Sequence, residues 1–172
     1  MYSFVAEYLQ KIKSQKDKST GSIEQIIGPV VDIRFPKDDL PAMNDIVLLT
    51  KDNESFIVAE VRQFIGSGSV RVVALESTDG IKRGSIVFNT KEPLKVPVGN
   101  RVLGRMMNLF GDSIDGIGPI DKTKKDVRSV HRDAPNIGEL NPIPGVLETG
   151  IKVVDLLTPY KKGGKIGLFG GA

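Results

Sequence analysis

The sequence predicts a small closed β-barrel followed by a mixed helix-and-strand segment, and three observations carry that prediction. From Ser22 to about Val98 apolar residues recur with period two in short runs, the spacing of half-buried strands. Turn-forming stretches separate these runs at regular intervals: PKDDLP, KDNE, GSG and STDGIKRG. Beyond Pro93 and Pro97 the apolar spacing becomes helical, and the sequence finishes on an apolar run that enters paired glycines.

The chain has 172 residues, 40% of them hydrophobic and 26% charged, enough to bury a core in one or two domains. Three segments are expected: an N-terminal extension at 1–20, a barrel at 21–97 and a second domain at 98–172. In the extension, Phe4, Val5, Tyr8, Leu9 and Ile12 form one apolar stripe at helical spacing. An amphipathic helix that packs on its own or a neighbouring subunit is the simplest reading. Organellar targeting peptides are rich in Arg or Ser and poor in acids, whereas residues 1–19 hold no Arg and two acids.

In the barrel segment, Val31, Ile33 and Phe35 alternate with Asp32 and Arg34. Further strands are expected at Ile46–Thr50, Ser55–Val61, Val70–Glu76 and Ser85–Phe88, giving five or six in all. Closing such short strands into a barrel removes unpaired edges. Gly28-Pro29 reads as a bulge or barrel corner within the first run, where the missing proline donor does no harm.

In the second domain, Val102, Leu103, Met106, Leu109 and Phe110 predict a helix that stops at Gly111. Residues 112–144 are rich in Gly, Pro and Asp and read mostly as loop. Helical spacing returns over Glu148–Leu157 through Ile151, Val154 and Leu157 and ends before Pro159. Lys161–Gly164 then link to a terminal strand, Ile166–Phe169.

Composition excludes several functions. There are no cysteines, so disulfides and thiolate metal sites are absent, and the one histidine, His131, cannot build a metal cluster alone. No metal ligand and no catalytic residue is expected. The formal charge is +3, but four lysines against two acids put +2 of it in residues 1–19, leaving +1 for the other 153. A near-neutral body without tryptophan and with 6% aromatic residues argues against a nucleic-acid partner. No stretch approaches the ~20 apolar residues that a membrane-spanning helix needs.

The last residues carry the most specific chemical signal. A strand followed by Gly-x-x-x-x-Gly-Lys-Ser/Thr and a helix is a phosphate-binding loop, in which backbone N–H groups cradle phosphates, Lys neutralises them and the hydroxyl ligates Mg²⁺. Gly170 stands where its first glycine would, followed by Gly171 and Ala172. The Lys and the Ser/Thr are not in this sequence, and such glycines serve more often as simple turns.

The stretch LETGIKVVDLLTPYKKGGKIGLFGGA, Leu147 to Ala172, resembles the catalytic beta subunit of F-type ATP synthase nearly residue for residue. QIIGPVVDIRFP, STDGIKRG, VPVGNRVLGRMMNLFGDSIDGIGPI and HRDAP extend the resemblance over Gly21 to Ala172. In that family the text continues GVGKT. The alpha subunit carries a GDRQTGKT-like loop there instead, and flagellar, V-type and Rho-like relatives are less similar. Two departures are Gly111-Asp112-Ser113, where the family often has Gly-Glu-Pro, and Thr158 for the alanine of LLAPY.

The resemblance implies an all-β six-stranded barrel, the crown of a hexameric head, followed by the start of an α/β P-loop NTPase domain. It implies ATP or ADP with Mg²⁺ as cofactors, with Gly170, Gly171 and Ala172 as the only cofactor-binding residues present. The P-loop Lys and Thr, the carboxylate that positions water, the Walker-B Asp and the adenine pocket lie downstream in the family, so this chain alone is not expected to turn over ATP. His131 and Arg132 fall in a family loop and read as structural or interface residues. Lys161, Lys162 and Lys165 read as solvated charges rather than phosphate ligands.

The resemblance implies alpha subunits, the gamma subunit and a second beta-type polypeptide as partners. The expected function is the N-terminal part of a split catalytic subunit of proton-translocating ATP synthase; the alternatives are a noncatalytic assembly module of the head, or the first part of an ordinary longer subunit. A chain end at Ala172 would set a carboxylate near the phosphates, which opposes nucleotide binding unless the ends are held apart. Without a transit signal, synthesis in the working compartment is expected. The expectation is a plastid, peripheral on the stromal face of the thylakoid, with a bacterial plasma membrane or mitochondrial inner membrane as alternatives.

Overall fold

The computed structural model describes residues 19–52, 55–120, 127–140 and 145–171. The expected N-terminal helix and Ala172 lie outside them. The chain divides into two compact units at Arg132/Asp133.

The first unit is built on six antiparallel strands: β1 (Thr20–Ile27), β2 (Val30–Arg34), β3 (Asp45–Asp52), β4 (Ser55–Gly66), β5 (Ser69–Ala74) and β6 (Ile86–Pro93). They close in the order β1-β2-β5-β4-β3-β6, with β6 returning to β1. β3, β4 and β5 form consecutive hairpins while β2 lies beside β5, a Greek-key arrangement. The all-β six-stranded barrel expected from the sequence is therefore the fold of this region.

Period two decides the interior. Val31, Ile33 and Phe35 point inward with Val47 and Leu49, Ile57, Ala59 and Val61, Val70 and Val72, and Val87, forming one buried cluster. Gly28-Pro29, expected as a bulge or barrel corner within one run, is instead the two-residue turn between β1 and β2, with Ile27 paired to Val30. Gly28 has φ 57° and proline follows with its fixed negative φ, the sign sequence of a II′ hairpin turn. The bulge in β1 lies instead between Ile23 and Gln25.

β3 breaks the alternation. Ile46, Val47, Leu48 and Leu49 are all fully buried. Val47 and Leu49 fill the barrel, while Ile46 and Leu48 point outward into a second cluster with Val58, Leu94 and Phe110. Phe56 and Phe88 pack against this outer cluster edge to face, their ring centroids 6.0 Å apart. The chain after the barrel thus covers one outer face, helped by β7 (Lys95–Pro97) pairing with β8 (Val127–Ser129).

The helix expected over Val102–Phe110 does not form. A 3-10 turn covers Asn100–Val102, and Met107 then bridges Ser113 across a tight loop. Gly104 takes φ 71°, outside the helical region. Asn108 Oδ1 accepts the N–H groups of Phe110 and Asp112, at 3.0 and 2.8 Å, capturing donors a helix would use. Tertiary packing of Phe110 overrides the helical spacing, leaving Leu103, Met106 and Leu109 exposed.

The second unit contains β9 (Val146–Leu147), α1 (Lys152–Leu157) and β10 (Tyr160–Lys161), with β9 and β10 paired antiparallel. α1 is shorter than the expected Glu148–Leu157. Asp155 holds the preceding turn outside the helix by accepting Thr149 N–H, Thr149 Oγ1–H and Gly150 N–H at 3.0, 2.6 and 3.0 Å. Ile166–Phe169 is not a strand: no described segment pairs with it, and an unpaired segment forms no ladder.

Leu48→Ala and Leu49→Ala are each expected to lower stability by about 2–5 kcal/mol, the range for a buried leucine. Urea unfolding of the two variants checks this; a Leu48→Ala cost within about 0.5 kcal/mol, the value for a surface site, would contradict the outer core.

Candidate functional site

The residues expected to meet phosphate are split by the structure. Gly170 and Gly171 are exposed, with no atom within 4 Å of where a Cβ would stand. Ala172 lies outside the described residues. The open backbone admits close approach of an anion, but two N–H groups on a segment without regular structure do not make a cradle. Lys161, Lys162 and Lys165 are exposed, and Phe169 is fully so. The described residues thus do not by themselves constitute a nucleotide site, and no step of phosphoryl transfer follows from them. No group of three or more metal-ligating side chains occurs among the described residues.

The polar chemistry of the first unit is concentrated on the barrel wall. Asp32 and Arg71 are register partners on β2 and β5. Arg71 donates from Nε to Asp32 Oδ1 at 2.8 Å and from Nη2 to Oδ2 at 2.9 Å, a planar two-bond match. Beside it, Glu24 sits in the β1 bulge and accepts from Arg34 Nε at 2.6 Å and Ser69 Oγ at 2.7 Å. The Arg71 hydrogen bonds hold the Asp32 carboxyl below the usual carboxylate range, and the Ser69 hydroxyl with Arg34 does the same for Glu24.

A second polar knot orders the loop after the barrel. Arg105 donates from Nε to Asp115 Oδ2 at 2.6 Å and from Nη2 to Asp115 Oδ1, Ser113 Oγ and the Gly118 carbonyl. Asp115 also accepts the N–H groups of Met106 and Ile117. Arg105, Ser113 and these backbone donors hold the Asp115 carboxyl far below its ordinary value. Asp45 moves the other way: burial pushes its carboxyl up, although the Ala42 N–H donates to it at 2.8 Å.

These groups are paired scaffolding, not a set of convergent acids and bases around a cleft. His131 follows the same pattern, its ring Nε2 meeting Glu60 Oε1 on β4. The sequence reading singled out none of the pairs Asp32–Arg71, Glu24–Arg34 and Arg105–Asp115. For the first two a signal was present: opposite charges on the outward positions of strands with matching alternation. For the third none was, because it joins residues across an irregular loop.

Residues 23–91 match the family model of the ATP synthase alpha/beta family, beta-barrel domain. This barrel is similar to the N-terminal barrel of that family. The matched residues run from the β1 bulge to β6 and include the Asp32–Arg71 and Glu24–Arg34 pairs.

Because the folded pKa of Asp32 is depressed, its contribution to stability is present above the unfolded value of 3.8 and fades as pH falls below it. Asp32→Asn is therefore expected to lower the urea midpoint at pH 7, with the gap to the unmodified chain narrowing as pH falls below 3.8. A gap that persists undiminished at pH 3 would show that the carboxylate charge is not what matters.

Proposed function

We propose that this chain is the N-terminal part of a head subunit of proton-translocating ATP synthase, of the catalytic beta type. It contributes the crown barrel and the first part of the nucleotide-binding domain. The observation that carries the proposal is the closed six-stranded barrel whose residues 23–91 match the ATP synthase alpha/beta family, beta-barrel domain. The beta assignment is supported by the run Leu147–Ala172, which resembles that subunit up to its phosphate loop.

A second beta-type polypeptide supplies the rest in this reading, including the P-loop Lys and Ser/Thr that stabilise charge on the transferred phosphoryl group. Gly170, Gly171 and Ala172 then contribute backbone N–H groups to ATP or ADP bound with Mg²⁺. The exposure of Ile151, Leu156, Leu157, Leu168 and Phe169 fits a surface awaiting further polypeptide. Alpha and gamma subunits complete the head. No helix among the described residues is long and apolar enough to cross a membrane. In our reading the particle sits peripherally on the stromal face of a plastid thylakoid.

One observation favours a second reading. The barrel has its own filled core, whereas no residue in the described part of the second unit is buried. A barrel that joins the crown without catalysis, as an assembly module, needs nothing more than this.

Heads reconstituted from alpha and gamma subunits, this chain and a second polypeptide carrying the P-loop Lys are expected to hydrolyse ATP. Omitting the second polypeptide is expected to abolish hydrolysis. Assembled but inactive heads with both polypeptides present would favour the assembly module. Peptide mapping of the beta-type material separates the remaining case, since a peptide crossing Ala172 belongs to one continuous subunit.

A further inference from the structure

The chain leaves the barrel through a segment that doubles back on it. β8 lies antiparallel to β7 with Arg128 opposite Val96, and the Val130 N–H extends the contact by donating to the Leu94 carbonyl at 3.0 Å. Leu94 is itself buried in the outer cluster. His131 comes next. Its amide donates to Ser129 Oγ at 3.1 Å, and its ring Nε2 meets Glu60 Oε1 on β4.

The contact is partly sheltered, the two side chains being 36% and 15% exposed. Glu60 Oε2 also lies 3.7 Å from Arg62 Nη1, which donates to Asn44 Oδ1. The register partners of Glu60 are Ile46 on β3 and Val73 on β5. The nearest titratable groups along those strands are Asp45, which accepts the Ala42 N–H, and Arg71, which is held by Asp32. Arg128 and Arg132 flank His131 along its own segment. Among these residue types only imidazole ordinarily changes charge between pH 5 and 8.

We propose that His131 and Glu60 form a pH-sensitive clasp that holds the exit segment Val127–His131 on the barrel wall and tightens when the imidazole is protonated. A neutral imidazole offers Nε2–H in one tautomer only. Protonation supplies that donor unconditionally and sets a positive charge against the Glu60 carboxylate, so that an ion pair is added to the hydrogen bond. The clasp acts within the first unit and does not depend on the subunit assignment.

Amide hydrogen exchange of Val130, followed by NMR on the full chain between pH 5 and 8 and corrected for the intrinsic pH dependence, tests the clasp. With one histidine in the chain, its ring signals are assigned without ambiguity and its protonation is followed in the same samples. Val130 protection is expected to be about threefold higher at pH 5.5 than at pH 7.5, in the range of a partly exposed ion pair. Its midpoint is expected to coincide with the ring titration. His131→Gln and Glu60→Gln are expected to abolish the pH dependence while Ile33 in β2 stays protected. Should Glu60→Gln unfold the barrel, His131→Gln decides alone. Protection that is independent of pH in the unmodified chain, that follows another midpoint such as that of Asp45, or that still varies with pH in His131→Gln would overturn the proposal.

Discussion

Closure of the barrel by β6 against β1 is the constraint on which the rest of the first unit depends. With Thr20, Gly21 and Ser22 paired to Phe88, Val87 and Ile86, no barrel strand keeps a free edge. Every strand then has one interior face, and the period of two sends its apolar residues there together. A one-residue slip would turn Val31, Ile33 and Phe35 to solvent at once. The register is fixed from outside as well, because Asp32 and Arg71 form their two-bond match only when directly opposite.

β3 shows how the barrel organises the chain that follows. Its outward residues Ile46 and Leu48 are as fully buried as its inward ones, which requires a cover. Leu94 and Phe110 provide it, and placing Phe110 there is incompatible with a regular helix through the preceding residues. The loop is instead stabilised by its own polar knot, in which Arg105 reaches Asp115, Ser113 and the Gly118 carbonyl. The return of β8 to β7 and the His131–Glu60 contact bring the chain back to the same wall.

The second unit is held differently. Its order is local: the β9–β10 pair, one short helix and the Asp155 hydrogen bonds to Thr149 and Gly150. Large apolar side chains along it are exposed, including Ile137, Val153, Leu156 and Phe169. Side chains of that size contribute to stability only when something covers them. A barrel with its own core joined to a unit with exposed apolar side chains is the arrangement from which the subunit reading and its assembly-module alternative both arise.

The barrel strands were legible in the sequence because a half-buried strand imprints its period directly, as in Val31, Ile33 and Phe35 against Asp32 and Arg34. The GSG turn was legible for a similar reason, since each strand pair ends where turn residues stand. Gly28-Pro29 was visible as a corner, but whether it bent one strand or joined two depended on where Ile27 and Val30 pair. At the candidate phosphate site, the sequence showed an apolar run entering the first glycine of the motif and no more, since a cradle is made by segments that converge in space. Local pattern determined which residues could line a core. The tertiary structure alone decided that Leu48 belongs to a second core, that Phe110 leaves a helix to reach it and that His131 meets Glu60, because each of these joins residues that pattern along one segment cannot connect.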